Sequence, residues 1–209
     1  LPSTPELLPT FGKALARQGH FYFRLGQYQE AIPLLREGLA LFRKLDHPRE
    51  VVMLLNMLGR IAYRRGEYQE AAVYCQESIE LCRRIDYKWG MVNALETLGH
   101  CATDQGDYDT ARGYHQQGLD IAREVGDWRA IASLLNGLGY TGWRLGEYEA
   151  ATGYCQESLQ IFREIGDRWG TVMALKNLGN IAGDEGDNQQ ALVWYAEGLT
   201  VSRTIGFRW

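Results

Sequence analysis

The chain has 209 residues, of which 45% are apolar and 23% charged, a balance that excludes wholesale disorder and allows one or two folded domains. Its formal charge of −4 has the wrong sign for a protein that coats nucleic acid, and no apolar run approaches the roughly 18–20 residues of a membrane span. Four irregularly spaced cysteines do not make a disulfide scaffold, so the expected compartment is a reducing cytoplasm. The start at Leu1-Pro2-Ser3-Thr4 has no basic region followed by an apolar stretch, which argues against a signal peptide, and no initiator methionine, which reads as a fragment of something longer.

Helical spacing runs from the first residues after Pro9 to the end, punctuated at fixed intervals. Gly26, Gly66, Gly106, Gly146 and Gly186 recur every 40 residues. Tyr28, Tyr68, Tyr108 and Tyr148 follow two positions later, with Asn188 breaking step. Ala31, Ala71, Ala111, Ala151 and Ala191 stand five after each glycine, and Leu58-Gly59, Leu98-Gly99, Leu138-Gly139 and Leu178-Gly179 form another series, degraded to Gln18-Gly19 in the first copy. A fixed period of this size marks a solenoid whose repeats bury their apolar faces against one another. In chain order the predicted helix pairs are 8–25 and 28–45, 48–65 and 68–85, 88–105 and 108–125, 128–145 and 148–165, and 168–185 and 188–205. Glycines at the breaks take positive φ, Asp127 and Asp167 offer N-caps, and Pro48 sits where a missing N–H costs nothing. Pro33 falls inside a predicted helix and makes that helix start the least defined.

The repeats are therefore expected at about 8–47, 48–87, 88–127, 128–167 and 168–206, with 207–209 opening a sixth, so that 1–209 is one stretch of a longer array. Gly59 and Ala71, with their equivalents, allow close helix approach, and Tyr68 and its equivalents wedge beside them. Trp89, Trp169 and Trp209 open helices at repeat junctions and are expected in the core between repeats, the alternative being an exposed partner-docking ridge. Phe207 and Trp209 lack a following repeat, so end-to-end self-association through the C-terminal repeat is expected.

The Leu-Gly pairs of the first helices and the alanines of the second resemble the tetratricopeptide repeat family. The units depart from it in having 40 residues and no closing proline. Long units with Gly-Asp-Tyr and Gly-Asp-Arg-Trp phrases are similar to those of bacterial MalT-type and other signal-transduction NTPase regulators and of the animal polarity adaptor LGN. The resemblance implies an all-α, right-handed α-solenoid of five helix-turn-helix units, with first helices lining a concave groove that serves as sensor or protein-binding arm.

Catalytic and metal chemistry find no support. No phosphate loop is present, and His20, His47, His100 and His115 lie on different helices with no His or Cys partner at metal-ligand spacing. Cys75 and Cys155 occupy a core position, while Ser78 and Ser158 occupy the small-residue slot of Gly38, Gly118 and Gly198. No cofactor is expected. The candidate binding residues are outward positions of the first helices: Arg24, Asn56, Arg60, Tyr63, Arg64, Glu96, His100, Asn136, Tyr140, Trp143, Arg144, Lys176 and Asn180. Aromatic residues and arginine are common binding anchors. Arg24, Arg60, Arg64 and Arg65 crowd repeats one and two, whereas Asp104, Asp184 and Glu185 come later, so the groove is expected to run from basic to acidic. The leading expectation is a non-catalytic scaffold that takes a protein or peptide segment, an acidic one against repeats one and two. The alternatives are a small-molecule arm, with Tyr140 and Trp143 stacking on a sugar and Asn136 and Asn180 bonding it, and a structural spacer.

Overall fold

A computed structural model describes residues 7–204. Within them the chain is all-α, with ten helices and no strand. They are α1 (Leu8–Arg24), α2 (Tyr28–Lys44), α3 (Pro48–Arg64), α4 (Tyr68–Arg84), α5 (Lys88–Asp104), α6 (Tyr108–Val125), α7 (Trp128–Arg144), α8 (Tyr148–Glu164), α9 (Arg168–Asp184) and α10 (Asn188–Thr204). These match the predicted pairs to within one residue at every end. Pro33 lies in the interior of α2, which runs through it with the ring exposed to solvent. Phe207 and Trp209 lie outside the described residues.

The punctuation is local backbone chemistry. Each first helix ends in a three-residue turn whose glycine has positive φ, +77° at Gly66. There the Glu67 N–H donates to the Ala62 carbonyl at 2.9 Å and the Gly66 N–H to the Tyr63 carbonyl at 2.9 Å, the paired bonds of a Schellman cap. Nothing lies within 4 Å of where a Gly66 Cβ would be, so the requirement there is conformational alone. Between repeats Gly126 and Gly166 do the same work, but Asp46 and Asp86 replace them with φ of 56° and 50°. The Asp127 and Asp167 carboxylates accept from the N–H groups of Ala130 and Gly170 at 3.0 Å, capping the helices that follow.

The chain divides into two compact bodies, an N-terminal half ending at Cys101 and a C-terminal half from Ala102. In the first, α1–α2 and α3–α4 fold back as hairpins around Leu35, Phe42, Leu54, Leu55, Leu58 and Ile61. Gly59 admits the facing helix: an added Cβ would meet Cys75 Sγ at 2.8 Å. In the second half α7–α8 and α9–α10 form the same hairpins, with Leu134, Leu135, Leu175 and Leu178 buried. Its Gly137 makes room for the buried His115 ring, which a Cβ would approach to 2.7 Å. Second helices of successive repeats are also tied by ion pairs 34 residues apart: Arg36–Glu70 and Arg43–Glu77 in one half, Arg123–Glu157 and Arg163–Glu197 in the other.

One expectation is corrected here. Trp89 and Trp169 do not fill the core between repeats; they are 51% and 40% exposed. The glycine that follows each takes the close contact instead. A Cβ on Gly90 would meet Val52 Cγ1 at 2.6 Å, and one on Gly170 would strike the Phe162 ring. One residue on a helix is a rotation of about 100°, so seating the glycine turns the indole outward.

Candidate ligand groove

The outward stripes of the first helices in the N-terminal half converge on a cavity of about 540 Å³. From α1, Lys13, Arg17, His20 and Phe23 reach it at helical spacing; from α3 come Arg49, Met53, Met57 and Arg60. The turn before α5 and its first residues add Tyr87, Trp89 and Asn93. Beneath them lie the buried Ala16 and Val52, with Asn56 and Gly90.

Asn56 holds this floor together. Its Nδ2 donates to the Gly90 carbonyl at 2.8 Å, and its Oδ1 accepts from Ser78 Oγ at 2.7 Å. One buried amide thus joins α3 to α4 and α5, and Gly90 can sit against Val52 only because it has no side chain. Arg49 lies over the Tyr87 ring at 5.4 Å, and Tyr87 is tilted against Trp89 at 6.5 Å. At the other end Arg60 lies over Phe23 at 5.3 Å, with His20 stacked on the same ring. Burial pushes the Tyr87 phenol above its ordinary value, against the pull of Arg49.

The electrostatics are one-sided. Lys13, Arg17, Arg49 and Arg60 are all exposed, and among the described residues none of the four forms an ion pair with a carboxylate. Glu50 is the one acidic group in the lining, and its carboxylate is 3.7 Å from His47 Nδ1. By contrast Arg65, grouped with the groove cations from sequence, is engaged by Glu67 at 2.7 Å. The wider charge is split in the same sense: residues 1–101 carry 13 Lys and Arg against 11 Asp and Glu, and 102–209 carry 9 against 15.

The candidate residues thus fall into three sets. Asn56 and Arg60 line the cavity. Arg24, Tyr63, Arg64, Glu96 and His100 do not: Tyr63 stacks on His100 at 5.7 Å and contacts Tyr68, Arg64 lies 6.0 Å over Tyr63, and Glu96 is 3.8 Å from His100 Nε2. In the C-terminal half Trp143 Nε1 donates to Asp184 Oδ2 at 2.8 Å, and Tyr140 meets the indole edge-on at 5.3 Å. Arg144 lies over Tyr108 and Trp143 and donates to the Tyr140 hydroxyl, a bond that raises its pKa. The oxygens of Asn136 and Asn180 accept from Asn177 and from the Tyr195 hydroxyl, so both are engaged inside the fold; Lys176 is half-buried on α9.

Lys13, Arg17, Arg49, Met53, Met57 and Tyr87 escaped the sequence reading, and Trp89 entered it as a junction residue expected in the core. The available signal was spacing: Lys13 and Arg17 precede His20 by seven and three residues, and Arg49 and Met53 precede Asn56 by seven and three, on the same helical stripes.

The tetratricopeptide repeat family profile matches residues 11–84, 50–124, 90–152 and 130–204. No curated protein sequence matches the chain. Three solved structures show a similar fold. A Rap protein complexed with competence and sporulation factor superposes with a TM-score of 0.82 at 19% identity, over 90% of this chain and 53% of that one. The Rap conjugation gene regulator of plasmid pLS20, in complex with the Phr* peptide, gives 0.80 at 17%, over 99% and 58%. A signal transduction ATPase with numerous domains and a tetratricopeptide repeat sensor, from Pyrococcus horikoshii, gives 0.70 at 17%, over 100% and 35%. The chain spans little more than half of either Rap protein. With the family profile covering nearly every described residue and ten helices paired at a 40-residue period, the chain belongs to the tetratricopeptide repeat family.

Proposed function

We propose that this chain is a non-catalytic interaction scaffold, the sensor or partner-binding arm of a larger signalling regulator, and that it captures an acidic protein segment in the groove of α1, α3 and α5. The observation that carries the reading is the ring of four cations around an apolar floor, without a carboxylate partner among the described residues. Arginine offers planar, paired donors that carboxylates fill, and rim charges steer association. The peptide-bound Rap relative of similar fold supports a segment rather than a small ligand as occupant. Four buried thiols suit a reducing, cytoplasmic setting.

Titrating acidic peptides against wild type, Arg60→Ala and Lys13→Ala/Arg17→Ala at two salt concentrations tests this. The variants should bind more weakly and with a shallower salt dependence. Equal binding by all three proteins overturns the reading.

A second reading concerns self-association. Leu199 is 41% exposed, whereas Leu39, Leu119 and Leu159 at the same repeat position are at most 4% exposed. A second copy packed on α10 would cover it and the neighbouring Leu192, and sedimentation of wild type beside Leu199→Ser measures this. A monomer at high concentration in both proteins rejects it.

A further inference from the structure

The proposed capture of an acidic segment leaves one part of the groove without a role: a patch of large apolar side chains at its centre, open to solvent. Met53 is 46% exposed and Trp89 51% exposed, with Met57 and Tyr87 half-buried beside them. A methionine in the middle of a helix stripe and an indole at a helix start are costly to leave in water, by about 1.5–3 kcal/mol for a fully buried apolar side chain. Nor is the patch a loose surface. Gly90 seats α5 against Val52 and Tyr87, the buried Asn56 amide locks the Gly90 carbonyl, and the indole is turned outward as a result. Thioethers are deformable and accept varied apolar shapes, and sulfur packs well on aromatic rings.

Cations flank this patch at both ends. Arg49 is stacked on Tyr87 at the Trp89 end, and Arg60 on Phe23 at the other. They are eleven residues apart on α3, about 16 Å at 1.5 Å per residue. An extended peptide advances about 3.3 Å per residue, so that interval matches about five residues. Lys13 and Arg17 line the α1 wall between them.

We propose that the groove reads a motif and not merely negative charge: one large apolar side chain, aromatic or methionine-like, seated on Met53, Met57 and Trp89, with carboxylates about two or three residues to either side facing Arg49 and Arg60. This rests on the capture of an acidic segment proposed above. The apolar anchor sets affinity and residence time, and the arginines set orientation and encounter.

The test uses three fluorescein-labelled peptides of equal net charge: acidic residues flanking a central Phe, the same peptide with Ser for Phe, and a scramble that places the acidic residues together at one end. Each is titrated by anisotropy against wild type, Arg60→Ala and Met53→Ser/Trp89→Ala, whose altered side chains are half exposed and whose folding is checked by circular dichroism. The Phe peptide should bind wild type ten- to a hundredfold more tightly than the Ser peptide, with the scramble between them. That ratio should collapse towards one in Met53→Ser/Trp89→Ala, and persist in Arg60→Ala while its salt dependence flattens. Salt-dependent binding of all three peptides with equal affinity overturns the motif and leaves acidic capture standing. An undiminished Phe-to-Ser ratio in Met53→Ser/Trp89→Ala places the anchor elsewhere and overturns it too. No binding of any acidic peptide overturns both readings. A small molecule that co-purifies with wild type and is lost from Met53→Ser/Trp89→Ala makes that molecule the occupant and overturns the motif.

Discussion

Of the two glycines of α3 and its following turn, Gly59 and Gly66, only Gly59 should respond to a change at Cys75. Gly59 is mid-helix and buried, and an alanine there places its methyl carbon 2.8 Å from Cys75 Sγ, short of ordinary contact by about 0.6 Å. Overpacking of that kind costs about 1–3 kcal/mol, set against a gain of about 0.5–1 kcal/mol from replacing a helical glycine with alanine. Gly59→Ala alone is therefore expected to destabilise by about 0.5–2 kcal/mol. In a Cys75→Ala background the sulfur is gone, the next atom in the way is the Ala71 carbonyl at an ordinary 3.5 Å, and only the helix gain is left. There Gly59→Ala should stabilise by about 0.5–1 kcal/mol. Gly66→Ala meets no atom within 4 Å but must hold φ near +77°, at a cost of about 1–2 kcal/mol in either background. Urea midpoints followed by circular dichroism, with the two double mutants completing the cycles, measure all of this. If Gly59→Ala is equally destabilising with and without Cys75, the close approach of α3 and α4 does not rest on this contact and the steric reasoning is refuted.

Other expectations follow from the same geometry. Cys75 and Cys155 are fully buried, and burial pushes their thiols up to about 12 from an ordinary 9.0. Below pH 9 the thiols are protonated in both states and the fold keeps its full stability; above it the unfolded chain ionises first, so stability falls by roughly 1.4 kcal/mol per thiol per pH unit until the folded value is reached. Thermal midpoints at pH 8 and 10 should drop less in Cys75→Ala/Cys155→Ala than in wild type. The helices α2, α3 and α4 begin after Gln27, His47 and Glu67 without a side-chain cap, so Gln27→Asp should add about 0.5–1 kcal/mol, and Asp127→Ala should remove about 1 kcal/mol by uncapping α7. Removing Arg123 from its half-exposed pair with Glu157 should change stability by less than about 1 kcal/mol, which a denaturation curve beside Asp127→Ala can resolve. Asn56→Ala takes the cross-helix bond from the Gly90 carbonyl, which keeps its own helical partner, and leaves the buried Ser78 hydroxyl without its acceptor; it should cost about 1–3 kcal/mol while slackening the groove floor, visible as faster amide exchange at the start of α5.

Helix boundaries were legible in the sequence because they are decided within a few residues. A glycine at positive φ, an aspartate three residues before an amide and a proline at a first turn act on their own backbone, and the repetition every 40 residues averages out the exceptions. The buried leucines, the small residues opposite one another and the structural serines were legible for a related reason, since periodicity states which face of a helix turns inward. The lining of the candidate groove was legible only in part. Placing Arg60 and Asn56 at the groove required the stripe alone, but deciding that Arg65 is engaged by Glu67 and Trp143 by Asp184, while Lys13, Arg17 and Arg49 form no ion pair among the described residues, required the packing of separate helices. Trp89 and Trp169 show the limit most directly. Hydrophobicity predicts burial for both, and the rotation imposed by seating the adjacent Gly90 and Gly170 against neighbouring side chains reverses it. The sequence by itself determined the repeat, its helices and their inward faces, all consequences of local geometry. Which outward side chains remain unspent was decided only by tertiary structure, because an interaction between residues 34 or 41 apart depends on where the intervening turns place them.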